Sequence, residues 1–175
     1  MTRNNKASQS LAERPGRATG STDPEQQLAQ FIEKFTPEIA AQAVAILHKM
    51  RKLYPRALEL VYDNYNALAI GFGPTERSSD AIFSIAVFPR WVSLFFLQAK
   101  GLPDPERILK GSGNVARHVV LSTPAMLHEP AVRDLMERAI ERAKVPFDTH
   151  GTRRLIVKSI SAKQRPRRPS DTKKK

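Results

Sequence analysis

The chain has 175 residues, a net charge of +12 and no cysteine. The lack of cysteine excludes disulfide bonds, thiolate metal sites and a cysteine nucleophile, and it is typical of a reducing compartment. No apolar run is long enough to span a bilayer, and the first twenty residues contain no apolar block. We therefore expect a cytoplasmic protein with no secretory signal and no membrane partner.

The positive charge is concentrated at the C-terminal end. Residues 161–175 contain seven Lys or Arg and one Asp, a net charge of +6, whereas residues 24–160 carry only +4. Residues 1–22 are polar and lack a periodic apolar pattern. Such segments bury too little apolar surface to offset the entropy lost on ordering. We predict one domain over residues 23–160, between a disordered segment 1–22 and a disordered basic tail 161–175.

Two helices are predicted at the start of this domain. The tripeptide Asp-Pro-Glu at 23–25 combines an N-cap residue, a proline for the first helical position and an acid in the first turn. Residues 28–35 then place apolar side chains three or four positions apart. Thr-Pro-Glu at 36–38 repeats the start signal, and the second apolar stripe stops before Pro55, which cannot continue a helix.

The middle of the chain changes to strand patterns. Large and small residues alternate over residues 67–72, which predicts a strand with one bulky and one small face. Residues 81–88 and 91–97 are apolar at nearly every position, so we predict two strands covered on both faces and joined by a hairpin at Pro-Arg. Residues 56–65 are compatible with either a helical turn or an edge strand.

The C-terminal half predicts a strand at 117–121, a helix that includes residues 132–143, and a last strand at 153–160. Helices and strands are segregated along the chain, which favours an α+β fold over a parallel doubly wound sheet. We predict a two-layer sandwich in the order α-α-β-β-β-β-α-β. Its antiparallel sheet would have four to six strands, with helices mainly on one face.

Three short segments follow one another in an order that is found elsewhere. They are Val-Ser-Leu-Phe-Phe at 92–96, Gly-Leu-Pro-Asp-Pro at 101–105 and Leu-Lys-Gly-Ser-Gly-Asn at 109–114, with a strand and a helix after them. This order resembles the YdhG-like family of bacterial domains of unknown function. The resemblance covers about residues 24–145 and includes the two N-terminal helices. It implies a compact antiparallel sheet with helices on one face.

One branch of that family is linked to a frataxin-like role as an iron chaperone. Such a role needs an exposed ridge of carboxylates, because iron of this kind prefers oxygen ligands. The first predicted helix has only Glu25 and Glu33 among its acids, with Lys34 beside them, and Val-Tyr-Asp-Asn-Tyr at 61–65 replaces the family's Trp-Gly-x-Pro segment. The iron role is therefore not carried over, and no metal or other cofactor is predicted.

The glycine loop after residue 109 is the main candidate ligand site. Its two glycines let backbone amides converge on an anion, and flanking cations can add charge-assisted bonds. The candidate residues are Lys110, Gly111, Ser112, Gly113, Asn114, Arg117 and His118. The same glycines would also suit a flexible connector that needs positive φ angles. The first interpretation predicts a non-enzymatic module that binds a small anionic ligand or a protein partner.

The basic tail supports an alternative function. Its cations can bind phosphate backbones weakly and without sequence preference, or they can simply solvate the chain end. The tail residues that would contact nucleic acid are Lys163, Arg165, Arg167 and Arg168. The alternative is a nucleic-acid-associated accessory protein. The residues specify neither the ligand nor the oligomeric state.

No set of catalytic residues is evident. An enzymatic function stays open, but no residue is assigned to catalysis. The four histidines lack metal-ligand spacing, and the serines lack a nucleophile-elbow context. Glu59 and Asp63 would share one face if residues 56–63 were helical, and paired carboxylates can divide acid and base roles. For the aromatic strand residues, including Trp91, core packing is favoured over base stacking, because Arg90 is the only cation among them.

Overall fold

The computed structural model describes residues 23–169. The predicted disordered segment 1–22 and residues 170–175 of the predicted tail lie outside the described residues. In chain order the helices and strands are α1 Pro24–Glu33, α2 Pro37–Leu53, β1 Leu58–Asp63, β2 Leu68–Gly73, β3 Phe83–Val87, β4 Val92–Phe96, β5 Arg117–Leu121, α3 Pro130–Glu141 and β6 Arg154–Ile160. Short 3-10 helices at Ser78–Asp80 and Pro124–His128 precede β3 and α3.

The two N-terminal helices begin as the sequence predicts. The Asp23 carboxylate accepts a hydrogen bond from the Glu25 amide at 3.3 Å, and the Thr36 hydroxyl accepts one from the Ile39 amide at 3.4 Å. These caps satisfy amides that have no partner inside the helix. Within residues 23–169, no helix has both the length and the apolar character needed to cross a membrane.

The six strands form one open sheet in the order β5-β4-β3-β2-β1-β6. All neighbouring strands are antiparallel except β1 and β6, which are parallel. The α+β class is confirmed, but the sheet is mixed and the chain has one strand more than the predicted order. The connection through α3 carries the chain from one edge of the sheet to the other, and long connections of this kind allow a parallel pair.

Strand alternation places the core on one face of the sheet. The bulky residues of β2, which are Leu68, Ile70 and Phe72, belong to the same buried cluster as residues of all three helices. Between them, Ala69 and Gly71 occupy the other face, as the alternating pattern predicts. The helices therefore share a single apolar layer with one side of the sheet.

The segment at 56–65 contains the interior strand β1, so the helical turn is wrong, and the alternative of a strand is right except for its placement at an edge. β1 pairs with β2 on one side and with β6 on the other. Its apolar pattern is interrupted by Glu59 and Asp63, which are both fully buried. Residues i and i+4 of a strand lie on one face, so the two carboxylates share a face without being helical.

The sequence predicts disorder from residue 161, but residues 161–169 pack against the domain. The Arg165 amide donates to the carbonyl oxygen of Tyr65 at 2.9 Å. Arg167 is only 5% exposed, and its Nη2 lies 2.8 Å from an Asp63 carboxylate oxygen. The Arg- and Pro-rich composition is that of a solvated tail, whereas the carboxylate that orders it lies 104 positions earlier.

Candidate functional site

The predicted glycine loop is a turn that needs its glycines for backbone reasons. Gly111 has a φ of +98°, and a Cβ on Gly113 would lie 2.8 Å from the carbonyl oxygen of Ala116. Lys110 and His118 pair through two backbone hydrogen bonds of 2.7 and 3.0 Å, which close the loop. Ser112, Asn114 and Val115 in the same loop are also exposed.

The cationic residues around this loop do not converge. Arg117 and His118 are consecutive in β5, so their side chains leave opposite faces of the strand. Arg117 Nη2 donates to the carbonyl oxygen of Leu109 at 2.6 Å, and the His118 ring stacks on Phe95 with centroids 4.8 Å apart. The structure therefore does not assemble an anion cradle from Lys110, Arg117 and His118.

Arg167 and Arg168, two of the four tail cations, make hydrogen bonds within the folded domain. Arg167 forms its ion pair with buried Asp63. Arg168 donates from Nε to the carbonyl oxygen of Phe35 at 3.1 Å and from Nη2 to that of Glu33 at 3.2 Å. Carbonyl oxygens orient this guanidinium but do not neutralise its charge. Lys163, Arg165 and Arg168 are exposed, and only Arg167 is buried.

Glu59 is the centre of one buried charge cluster on the helix side of β1. Its carboxylate accepts from Arg51 Nε at 2.9 Å and from Arg153 Nη1 at 3.0 Å. The same two arginines also bind Glu25 on α1. Burial raises the pKa of Glu25, but the hydrogen bonds from Arg153 and Arg51 outweigh it and leave that pKa below its ordinary value.

Asp63 is the centre of the second cluster, with Lys34 Nζ at 2.6 Å and Arg167 Nη2 at 2.8 Å. Burial raises the pKa of Asp63, but hydrogen bonds from Lys34, Gln164 and Arg167 leave it below its ordinary value. Both β1 carboxylates are thus paired anions that join helices and the chain end to the sheet. Among residues 23–169, no group of three or more His, Asp or Glu is arranged to hold a metal ion.

A cavity of about 650 Å³, the basic cavity, lies at the end of β4. Its walls come from three parts of the chain: the first 3-10 helix, the β4–β5 connection and the segment after α3. The lining residues are Ser78, Ser79, Leu97, Gln98, Lys100, Val115, Ala116, Arg142 and Lys144. Three of the nine are cationic and none is acidic.

The three cations of the basic cavity come from separate segments. Lys100 belongs to the β4–β5 connection, whereas Arg142 and Lys144 follow α3. All three are exposed, and the ion pairs formed within the described part of the chain include none of them. Cations held together around a concave surface create a positive potential that attracts an anion.

Gln98 fixes the two walls of the basic cavity relative to each other. Its Nε2 donates to the carbonyl oxygen of Ala81 at 3.2 Å, and its Oε1 accepts from the Lys144 amide at 3.0 Å. The segment after α3 is thereby held beside the start of β3. The backbone segments on both sides of the basic cavity are thus held by contacts that are independent of any ligand.

Two backbone features bring the remaining wall into place. The Ala99 amide donates to the carbonyl oxygen of Val115 at 2.7 Å, which closes the base of the β4–β5 connection. Gly101 has a φ of +68°, and a Cβ there would lie 3.3 Å from Arg142 Nη2. Glycine at this position therefore permits both the turn and the close approach of the guanidinium.

Sequence reasoning did not identify the basic cavity. Lys100, Arg142 and Lys144 read as ordinary surface cations, and their proximity depends on the Gln98–Lys144 contact across 46 positions. The one usable signal was Lys100 directly before Gly101 in a turn-forming segment, and it did not indicate which cations would join it.

Comparison of the chain with protein-family models, curated proteins and solved structures finds no match. What is established is an α+β domain with an open six-stranded sheet and a basic cavity at one end of β4. Membership of the YdhG-like family stays a prediction.

Proposed function

We propose that the chain is a cytoplasmic, bacterial YdhG-like module that binds a small anionic ligand in the basic cavity. The observation that carries the proposal is the placement of Lys100, Arg142 and Lys144 around one cavity that has no acidic lining residue. The anion site is therefore proposed at the end of β4 and not at the glycine loop.

The chemistry of the lining suits a small polyanion such as a phosphorylated or polycarboxylate compound. Hydrogen bonds between cationic groups and phosphate or carboxylate oxygens are stronger than those between neutral groups. The hydroxyl of Ser78 can add a neutral donor, whereas that of Ser79 donates to the Asp80 carboxylate at 3.2 Å. The volume, about 650 Å³, falls within the usual range for small-molecule sites.

Binding without catalysis is proposed because the lining offers donors but no general base. The basic cavity contains no carboxylate or imidazole side chain. Its only uncharged polar groups are two serine hydroxyls and the Gln98 amide, and that amide is already hydrogen-bonded to the backbone on both sides. These groups can position an anion, but they provide no proton acceptor of suitable pKa.

Calorimetric titration with pyrophosphate at constant ionic strength tests the proposal. The wild-type chain is expected to give saturable binding to one site. The double substitution Arg142→Gln and Lys144→Gln should weaken binding about tenfold or more, because a hydrogen bond to a charged group contributes about 1.5–3 kcal/mol.

The matched control is Lys52→Gln with Arg56→Gln, which removes the same charge from exposed positions outside the cavity lining. It should leave the dissociation constant within about twofold of the wild type, because screened charges far from the site contribute little. If both double variants bind pyrophosphate equally well, the anion is not bound in the basic cavity and the proposal fails.

A further inference from the structure

A second cavity, of about 560 Å³, lies where the β3–β4 turn meets the C-terminal segment. We call it the aromatic cavity. Its lining residues are Asn66, Phe88, Pro89, Arg90, Trp91, Arg165, Pro166, Arg168 and Pro169. It shares no lining residue with the basic cavity, and three of its nine lining residues are arginines with no acid among them.

Trp91 makes this cavity unusual. The sequence predicts a core residue, but the Trp91 side chain is 43% exposed. Its indole stacks on Phe88, with ring centroids 5.1 Å apart and planes 25° apart. The turn itself is fixed by a hydrogen bond of 2.9 Å from the Phe88 amide to the Trp91 carbonyl oxygen. The Phe88 ring thus supports the indole of Trp91, which presents a large apolar surface to solvent.

The charges around Trp91 are positive, and no ion pair among residues 23–169 involves Arg90, Arg165 or Arg168. Arg90 and Arg165 are exposed, and Arg165 has a weak contact of 3.4 Å to the Asn66 side-chain oxygen. Arg168 is oriented by two backbone carbonyls, which leave its charge intact. The neighbouring Arg167 differs, because its charge is compensated by Asp63.

We propose that the aromatic cavity binds single-stranded nucleic acid. An unpaired base would stack on the free face of Trp91, while phosphates on either side would pair with Arg90 and Arg165. Exposed aromatics beside cations are the usual means of binding single strands, and a duplex does not offer the face of a base for stacking. An acidic peptide would satisfy the arginines but would leave the indole without a planar partner.

This inference goes beyond the proposed small-anion function and is independent of it. The two sites have different linings and different ligand chemistry. The variant Arg142→Gln with Lys144→Gln should therefore bind oligonucleotide as the wild type does. Failure of one proposal does not decide the other.

The intrinsic fluorescence of the protein provides a direct test, because Trp91 is the only tryptophan in the chain. Titration of the full chain with oligothymidylate of about twelve nucleotides, a common site size for such proteins, should quench this fluorescence saturably. Inorganic polyphosphate of similar charge has no bases and should produce little quenching. Equal quenching by both polyanions would overturn the stacking assignment.

Substitutions separate stacking from charge when binding is followed by anisotropy of a labelled oligothymidylate. Trp91→Ala should weaken binding about five- to a hundredfold, the range measured for loss of one base–aromatic stack, whereas Trp91→Phe should retain most of the affinity. Arg90→Gln and Arg165→Gln should each reduce the slope of log affinity against log salt by about 0.7, the value for one phosphate contact with a single strand. Lys52→Gln is the exposed control and should change neither quantity.

A chain that ends at Pro169 distinguishes the cavity from the terminal lysines. It keeps all nine lining residues and removes residues 170–175. Fluorescence quenching should persist, with a smaller salt slope. Loss of binding on this truncation, wild-type affinity of Trp91→Ala, or tighter binding of poly-glutamate than of oligothymidylate would each overturn the proposal.

Discussion

Asp63 shows how a charged residue becomes part of this fold. It occupies an interior strand at zero exposure, and it is held there by Lys34, directly after α1, and by Arg167 from the C-terminal segment. A buried, paired carboxylate of this kind adds little to the free energy of unfolding when it is compared with an apolar replacement of the same shape. Removal of its charge alone leaves Arg167 buried and unpaired.

Asp63→Asn should therefore lower the free energy of unfolding by about 3–5 kcal/mol, the usual cost of breaking a buried ion pair. Urea denaturation followed by circular dichroism measures this loss. The control is Asp134→Asn, which removes an exposed carboxylate paired with Arg138 one helical turn away and should have only a small effect. Similar midpoints for the two variants would show that Asp63 does not hold the C-terminal segment.

His118 has a pKa that the structure places below its ordinary value. Partial burial against the sheet disfavours the charged ring, and the positive charge of Lys110 adds to this effect. Lys110→Gln should raise the pKa of His118, although the effect of burial will remain. Chemical-shift titration of the imidazole measures both values, and an unchanged or lower pKa in the variant would contradict the assignment to Lys110.

The residues of the predicted glycine loop show where residue-level inference stops. Gly111 has the positive φ that one of the two sequence-based interpretations gives it, whereas Gly113 is required for a steric reason, the close approach of the Ala116 carbonyl oxygen. The predicted strand at 117–121 already implied that the consecutive residues Arg117 and His118 point to opposite faces, which argues against their joint use in the predicted anion site. The cations that do line one cavity come from distant parts of the sequence, Lys100 from one and the pair Arg142 and Lys144 from another.

At the scale of elements, β1 and the C-terminal segment are where sequence and structure differ most. Helices α1 and α2 were predictable because their caps and apolar stripes are local. β1 was not, because two of its six residues are charged and their partners come from four separate places in the chain. These partners are Lys34 directly after α1, Arg51 on α2, Arg153 directly before β6 and Arg167 beyond β6. The packing of residues 161–169 against the domain likewise depends on contacts across about 100 positions.

The C-terminal segment should behave as part of the folded domain. A chain that ends at residue 160 loses Arg167 and its contacts, so its melting temperature should fall by about 6–12 °C, equivalent to about 3 kcal/mol in a domain of this size. A chain that ends at residue 169 should melt within about 2 °C of the full chain. Equal melting temperatures for the two truncations would show that residues 161–169 do not stabilise the fold.

The segment after α3 has a second physical role besides lining the basic cavity. Cations after the last turn of a helix interact favourably with its carbonyl dipoles, which accounts in part for Arg142 and Lys144. That effect does not account for Lys100, which comes from the β4–β5 connection. The presence of Lys100 in the same cavity is the reason for assigning a ligand there.

For the whole molecule, the cations behind the net charge of +12 have different environments. Some cations are neutralised within buried clusters, as Arg51 and Arg167 are. Others surround the basic cavity or the aromatic cavity without acidic lining residues. The overall charge does not distinguish these groups of cations, and only the fold shows which of them lie around a cavity.

The position of a bound small anion is the most direct test of this account. In amide NMR spectra of the wild-type chain, pyrophosphate should shift the signals of Ser79, Lys100, Ala116 and Lys144 together, with one common dissociation constant. Shifts centred on residues 111–114, or spread evenly over the exposed lysines and arginines, would contradict the proposal that the basic cavity is the ligand site.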